Sequence, residues 1–305
     1  MLSGGVGGAR FVRGLLDAVP PADVTVVGNV GDDTEVLGLH VSPDLDSLLY
    51  TLTERHDEER GWGRRDESWN ALETVRELRD DESWFQLGDR DLGLHLVRTK
   101  ALRAGEPLSA VTARAAAAFG LEARLLPATD DRLRTTVQTP AGDFSLQEWF
   151  VKRRHADEVE GLLFEGAESA RPAPGVLDAI AEAALVAIAP SNPYISIWPI
   201  LAVPAIDVAL RASAAPVVAV SPVIGGKAVK GPADRMLERL AGGTAPVHVA
   251  GCYPELIDAL VIDETDAAGA DALAAAGVRP HVTRTLMSDR GAARRLAEAV
   301  LEARG

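Results

Sequence analysis

Four aspartates crowd into fifteen residues. Asp32 and Asp33 end the segment Asn29-Val30-Gly31-Asp32-Asp33, and Asp44 and Asp46 stand in Pro43-Asp44-Leu45-Asp46-Ser47. Carboxylates held this close repel one another unless a divalent cation or bound protons compensate. Mg²⁺, shared between one or two carboxylates and phosphate oxygens, is the natural partner, and it points to phosphoryl chemistry. Asp44 and Asp46 also have a plainer reading, because an aspartate at the start of a helix often only caps it. Asp32 and Asp33 are not explained that way.

Three loops could hold the phosphate. Ser3-Gly4-Gly5-Val6-Gly7-Gly8, followed by a helical pattern, offers backbone amides at a helix N-terminus with no side chains in the way. A tight strand-to-helix turn would read the same. Arg10 stands where a dinucleotide fingerprint needs its third glycine, which weakens a nicotinamide oxidoreductase reading. A second loop runs from Ser221 to Lys227. Ser221 takes the place of the first Walker glycine and Ala228 that of the Mg²⁺-binding hydroxyl, so P-loop ATPase chemistry loses its footing. Gly225, Gly226, Lys227 and Lys230 remain either an amide-and-cation cradle or a solvated turn. The third loop is Ala189-Pro190-Ser191-Asn192-Pro193. Each loop follows an apolar run, and ligands in open α/β sheets bind beyond the carboxyl ends of strands, so the three are expected to converge on one crevice. The six histidines show no metal-ligand spacing, and there is no G-x-S-x-G elbow for a serine nucleophile.

The elements that must carry these loops can be read from periodicity. VTVVGNV (24–30), ALVAIAPSN (184–192), APVVAVSPV (215–223) and PVHVAG (246–251) read as strands alternating with amphipathic helices, which predicts an α/β, Rossmann-like, mostly parallel sheet flanked by helices. Only Met1 and Leu2 precede the first loop, so its strand is either very short or lacks its start. Residues 55–120 turn charged and show 3.6-residue apolar spacing, predicting a largely helical insertion over the crevice. Trp62, Trp69 and Trp84 in it could stack on a flat ligand or fill a core. Residues 134–151 read as a hairpin turning at Pro140-Ala141-Gly142-Asp143, and a helix from about Asp289 to Ala303 closes a single domain, 1–305.

Composition bounds the partners. With 47% hydrophobic residues, 25% charged and a net charge of -14, the chain reads as globular and carries no basic stripe for nucleic acid or an acidic membrane. Cys252 is the only cysteine, so no internal disulfide forms and a cytoplasmic setting is expected. With the first loop starting at Ser3, no leader is expected. The uncharged stretch 183–206 has the length of a membrane span, but Pro190, Pro193, Pro199 and Pro204 predict that it breaks into buried strand, loop and helix start.

Taken together, GGVGGARF (4–11), GNVGDDTEVLGLHVSPDLDSLLYTL (28–52), RGWGRRDESWNA (60–71), WFQLGDRDLGLHLVR (84–98), LLPATDD (125–131), FSLQEWFV (144–151), APSNPYISIWPIL (189–201) and SPVIGGKAVKGPADRM (221–236) resemble the CofD/FbiA family. These are the 2-phospho-L-lactate or phosphoenolpyruvate transferases of deazaflavin coenzyme F-420 biosynthesis. The resemblance implies a guanylyl diphosphate donor, attack by the ribityl hydroxyl of the deazaflavin Fo, and release of GMP. It places Asp32 and Asp33 in catalysis and, with Asp46, on Mg²⁺. It puts Fo against Asp46, Gln86 and Asp89, and the nucleotide and phosphates on Gly4, Gly5, Gly7, Gly8, Asn29, Ser191, Asn192, Gly225, Gly226 and Lys227. A homodimer is also implied. The donor group stays open among phosphoenolpyruvyl, phospholactyl and glyceryl. A rival class of similar fold, nucleotide-sugar-binding regulators, shares the glycine loop and the aspartate pair but not the PDLD and LGDRD segments.

Overall fold

The computed structural model describes all 305 residues. Seven short strands form its central sheet: β1 (Leu2–Ser3), β2 (Thr25–Gly28), β3 (Arg124–Pro127), β4 (Val186–Ile188), β5 (Val217–Val220), β6 (Ala259–Asp263) and β7 (Arg279–Thr283). They lie in the order β7-β6-β5-β4-β1-β2-β3, every pair parallel. Helices cover both faces, which is why VVAV in β5 and ALVID in β6 are buried throughout instead of alternating. The chain leaves β1 toward β2 and β3, then returns to β4 on the opposite side. That reversal puts a topological switch point between β1 and β4. β1 spans two residues here, yet it is central, with Leu2 opposite both Val27 and Ile188.

One strand assignment is corrected. PVHVAG is a helix, Pro246–Gly251, and the sixth strand is ALVID instead. A six-residue apolar run carries too little periodicity to choose, whereas Pro246 at the first helical position, with its φ already fixed, favours the turn. The predicted hairpin forms between Arg134–Thr139 and Gly142–Ser145, and Gly161–Glu165 adds a third strand on its other side. Beyond Ser145 the chain does not continue as strand but winds into a π-helical turn, Glu148–Lys152. There Trp149 is buried and donates to the Asp157 carbonyl.

Five helices frame the candidate site: α1 (Gly5–Ala18), α2 (Pro43–Leu52), α3 (Asn70–Glu77), α4 (Asp89–Arg103) and α5 (Leu108–Phe119). The last four fill the connection from β2 to β3, so the insertion begins before residue 55 and α5 is the segment that returns the chain to the sheet. The closing helix α6 (Arg290–Glu302) packs so closely on α1 that a Cβ on Gly14 would collide with the Ala293 backbone. No single helix is long and apolar enough to cross a membrane. The stretch 183–206 becomes β4, a loop and helical segments that bend by 86° before Pro204–Ala212.

Candidate active site

A cleft of about 810 Å³ opens where the ends of β1, β4 and β5 meet the insertion. At the switch point the loops after β1 and β4 are tied reciprocally. Ser191 Oγ donates to the Gly4 carbonyl at 2.6 Å and accepts from the Gly4 amide at 3.3 Å. Gly8 is part of the joint and not of the surface: a Cβ there would strike the hydroxyls of Ser191 and Ser3. Gly4, Gly5, Gly7, Arg10, Ser191 and Asn192 all line the cleft, so α1 presents its N-terminal amides to any anion held there.

Asn29, expected at the nucleotide, is fully buried and staples the acidic cluster instead. Its amide nitrogen donates to Asp44 Oδ2 (2.9 Å), Asp32 Oδ1 (3.4 Å) and the Ile195 carbonyl (3.1 Å), while its oxygen takes the Gly31 amide. Asp32 Oδ2 accepts the Asp44 amide at 3.1 Å in the first turn of α2, so it is Asp32 that caps the helix, not Asp44. Burial, then Asp44 and Asp33, drive the Asp32 pKa well up. Asp44 rises to about 6 through burial, opposed by Asn29, the Gly5 amide and Ser196. Asp32 and Asp44 therefore form a buried pair short of positive charge. Asp33 is turned away from the cleft: its Oδ2 takes His40 Nε2 (2.8 Å) and Ser42 Oγ (3.0 Å).

Asp46 is not a free ligand either. Both oxygens engage the buried guanidinium of Arg98, with His95 Nδ1 at 3.8 Å. Around this pair, Asp46 and Tyr50 of α2 face Asp91, His95 and Arg98 of α4. Burial lifts the Asp91 carboxyl to about 7, and the same cause lowers His95 to about 4, leaving its ring neutral. Within LGDRD it is Asp91 that reaches the cleft. Asp89 points outward and accepts hydrogen bonds from Ser68, Asn70 and Ala71, which cap α3 and hold the carboxyl down near 2. Gln86 lines the cleft and is exposed.

The second glycine loop does not form the expected cradle. Val223–Ile224 and Lys227–Ala228 make a small hairpin that carries Gly225 and Gly226 out of the cleft. The Gly225 amide is spent on Asp266, and Lys227 sits 82% exposed beside Asp234. The cations that do line the cleft are Arg10, Arg60, Arg154 and Lys230. Arg60 stacks on both Trp62 and Trp69, at 5.1 and 4.8 Å from the ring centroids, and Trp62 reaches the cleft; Trp84 packs on Phe85 and does not line it. Lys230 reaches the backbone at Gly61, so the insertion and the loop after β5 meet over the opening.

Known proteins resemble this chain through most of its length. The family model for 2-phospho-L-lactate transferase CofD matches residues 1–298. The chain belongs to the CofD family of transferases. Among curated members, a Streptomyces griseus phosphoenolpyruvate transferase is 43% identical, covering 99% of this chain and 96% of its own length. A phosphoenolpyruvate transferase of Kitasatospora aureofaciens is 45% identical over 98% of this chain and 95% of its own. Among solved structures, a Bacillus halodurans protein of the UPF0052 family superposes with a TM-score of 0.64 at 18% identity, covering 98% of this chain and 97% of its own, a likeness of fold.

Sequence reasoning missed Asp91, His95 and Arg98 of this CofD chain although a signal was present. Their i, i+4, i+7 spacing puts the three on one helix face, the same rule that aligns Asp46 with Tyr50. Asp89, two positions before Asp91, must then face away.

Proposed function

We propose that this CofD-family enzyme transfers a phosphoenolpyruvyl group from a guanosine diphosphate-linked donor to the ribityl hydroxyl of the deazaflavin Fo, releasing GMP in cytoplasmic coenzyme F-420 synthesis. The observation that carries this reading is the full-length match to the family and to relatives named phosphoenolpyruvate transferase. The cleft supports it, being large enough for the reacting portions of two ligands and split between an amide-rich, cation-lined side and a buried polar pocket in the insertion.

In this reading the α1 amides and Arg10 hold the diphosphate, and the walls from α2 and α4 hold Fo. Asp32 and Asp44 fit Mg²⁺, since they line the cleft paired, buried and short of compensating charge; Asp33, turned away from the cleft, and Asp46, neutralised by Arg98, do not. Bound there, the ion would neutralise charge on the phosphate oxygens. The acceptor oxygen forms a bond to the phosphorus that bears the enolpyruvyl group, the bond from that phosphorus to the GMP oxygen breaks, and GMP leaves with the electron pair. Phosphoryl transfer of this kind needs positioning and charge stabilisation more than a covalent nucleophile.

The test is mass spectrometry of the product after purified protein is offered Fo with the phosphoenolpyruvyl, phospholactyl and glyceryl donors in competition. The phosphoenolpyruvyl adduct dominates if the reading holds. No adduct with any donor, together with stabilisation by UDP but not GDP, would support the sugar-nucleotide regulator class.

A further inference from the structure

Four buried carboxylates line the cleft, and three already have partners and a role in the reading above. Asp32 and Asp44 accept from Asn29 and from amides of α2 and α1, and Asp46 spends both oxygens on Arg98. Asp91 differs. It is only 9% exposed and makes no ion pair. Facing it, the Tyr50 hydroxyl, on a side chain just 2% exposed, is directed at the Asp91 carboxyl. A buried carboxyl on a cleft wall, met by one hydroxyl and by no ion pair, marks a place where a ligand group or a proton belongs.

The geometry points to Asp91, on the cleft wall, as the general base of the transfer, its carboxylate taking the proton of the attacking acceptor hydroxyl while Tyr50 steadies it. The inference rests on the transferase reading above. In the step, the acceptor O–H bond breaks and its proton passes to Asp91, the oxygen lone pair forms the new P–O bond, and the old P–O electron pair leaves with GMP. Asp91 then returns its proton to water. The surroundings suit the role. Burial raises Asp91 to about 7, with Asp46 of α2 and Glu67 of the preceding loop adding to it and Tyr50 and Arg64 opposing. From α4, His95 is neutral and the Arg98 charge is taken by Asp46. A base that titrates near neutrality is of the strength proton transfer favours.

Single-turnover transfer from the guanosine donor to Fo, followed from about pH 5.5 to 9, tests the assignment beside Fo fluorescence titration and thermal melts. Asp91→Asn is expected to lower the rate by roughly 10²-fold and to abolish its rise through neutrality, with Fo and donor affinities within a few-fold of wild type. Tyr50→Phe, losing less rate, moves the pH midpoint upward. An Asp91→Asn protein with the wild-type rate and profile overturns the proposal. So does one that loses Fo affinity while its rate at saturation is intact, which would make Asp91 a binding residue only. Wild-type protein that binds neither Fo nor the guanosine donor overturns the transferase reading itself, a failure seen before any variant is made.

Discussion

At the residue scale, what matters is which carboxylates are already paired. Asp46 and Arg98 form a buried ion pair, so removing one partner strands the other in a dry wall. Asp46→Ala is expected to cost about 3–5 kcal/mol of stability, and Asp46→Ala with Arg98→Met distinctly less than the sum of the single changes. Urea unfolding of the four proteins checks this; a small loss in the single variant would return Asp46 to the role of a free ligand. Asp91 has the opposite character, a buried acid without an ion pair. Its folded pKa of about 7 lies above the ordinary value of 3.8, so between about pH 4 and 7 the folded chain holds a proton that the unfolded chain releases. The stability this represents is full below pH 4 and is lost as pH rises through 7. Asp91→Asn should therefore match wild type in stability near pH 4 and exceed it at pH 8, by up to about 4 kcal/mol on that shift. Equal melting temperatures for the two proteins at pH 8 would show that Asp91 is not desolvated.

At the element scale, the glycine loop does two jobs with different residues. Gly7 faces the cleft, where an added Cβ would approach the Pro190 carbonyl at 3.3 Å, while Gly8 sits inside the joint between the loops after β1 and β4. Gly8→Ala is expected to cost about 1–3 kcal/mol by overpacking. Gly7→Ala should cost less stability but weaken guanosine diphosphate binding more than its stability loss explains. Melting curves with parallel GDP titrations separate the two, and equal effects of both substitutions on both readouts would deny the division. The insertion acts as an element in the same sense: α2 and α4 meet through Asp46 and Arg98, so the wall opposite the sheet is fixed by a charge pair and not by apolar packing alone.

At the scale of the whole molecule, a net charge of -14 leaves an anionic ligand dependent on the cations gathered at one cleft, Arg10, Arg60, Arg154 and Lys230. GDP with Mg²⁺ should then stabilise the fold by about 2.7 kcal/mol at a hundred times its dissociation constant, and EDTA should remove much of that gain. An EDTA-insensitive shift would argue against a metal at Asp32 and Asp44. The sequence by itself determined the parallel sheet, the loops at the ends of β1 and β4 and the acidic segments, because apolar runs, glycine clusters and charge are local properties. It misread PVHVAG, whose six residues fit helix and strand alike until Pro246 is placed. Only the tertiary structure decided which polar residues face the cleft. Gly225, Gly226 and Lys227 left it because the chain turns into a hairpin there, and Asn29 left it because the aspartates need a donor. Asp89 and Asp91 exchanged places because residues two apart on a helix point to opposite sides, and which side is inward depends on α4 meeting α2 across a separation of about fifty residues that no local pattern reports.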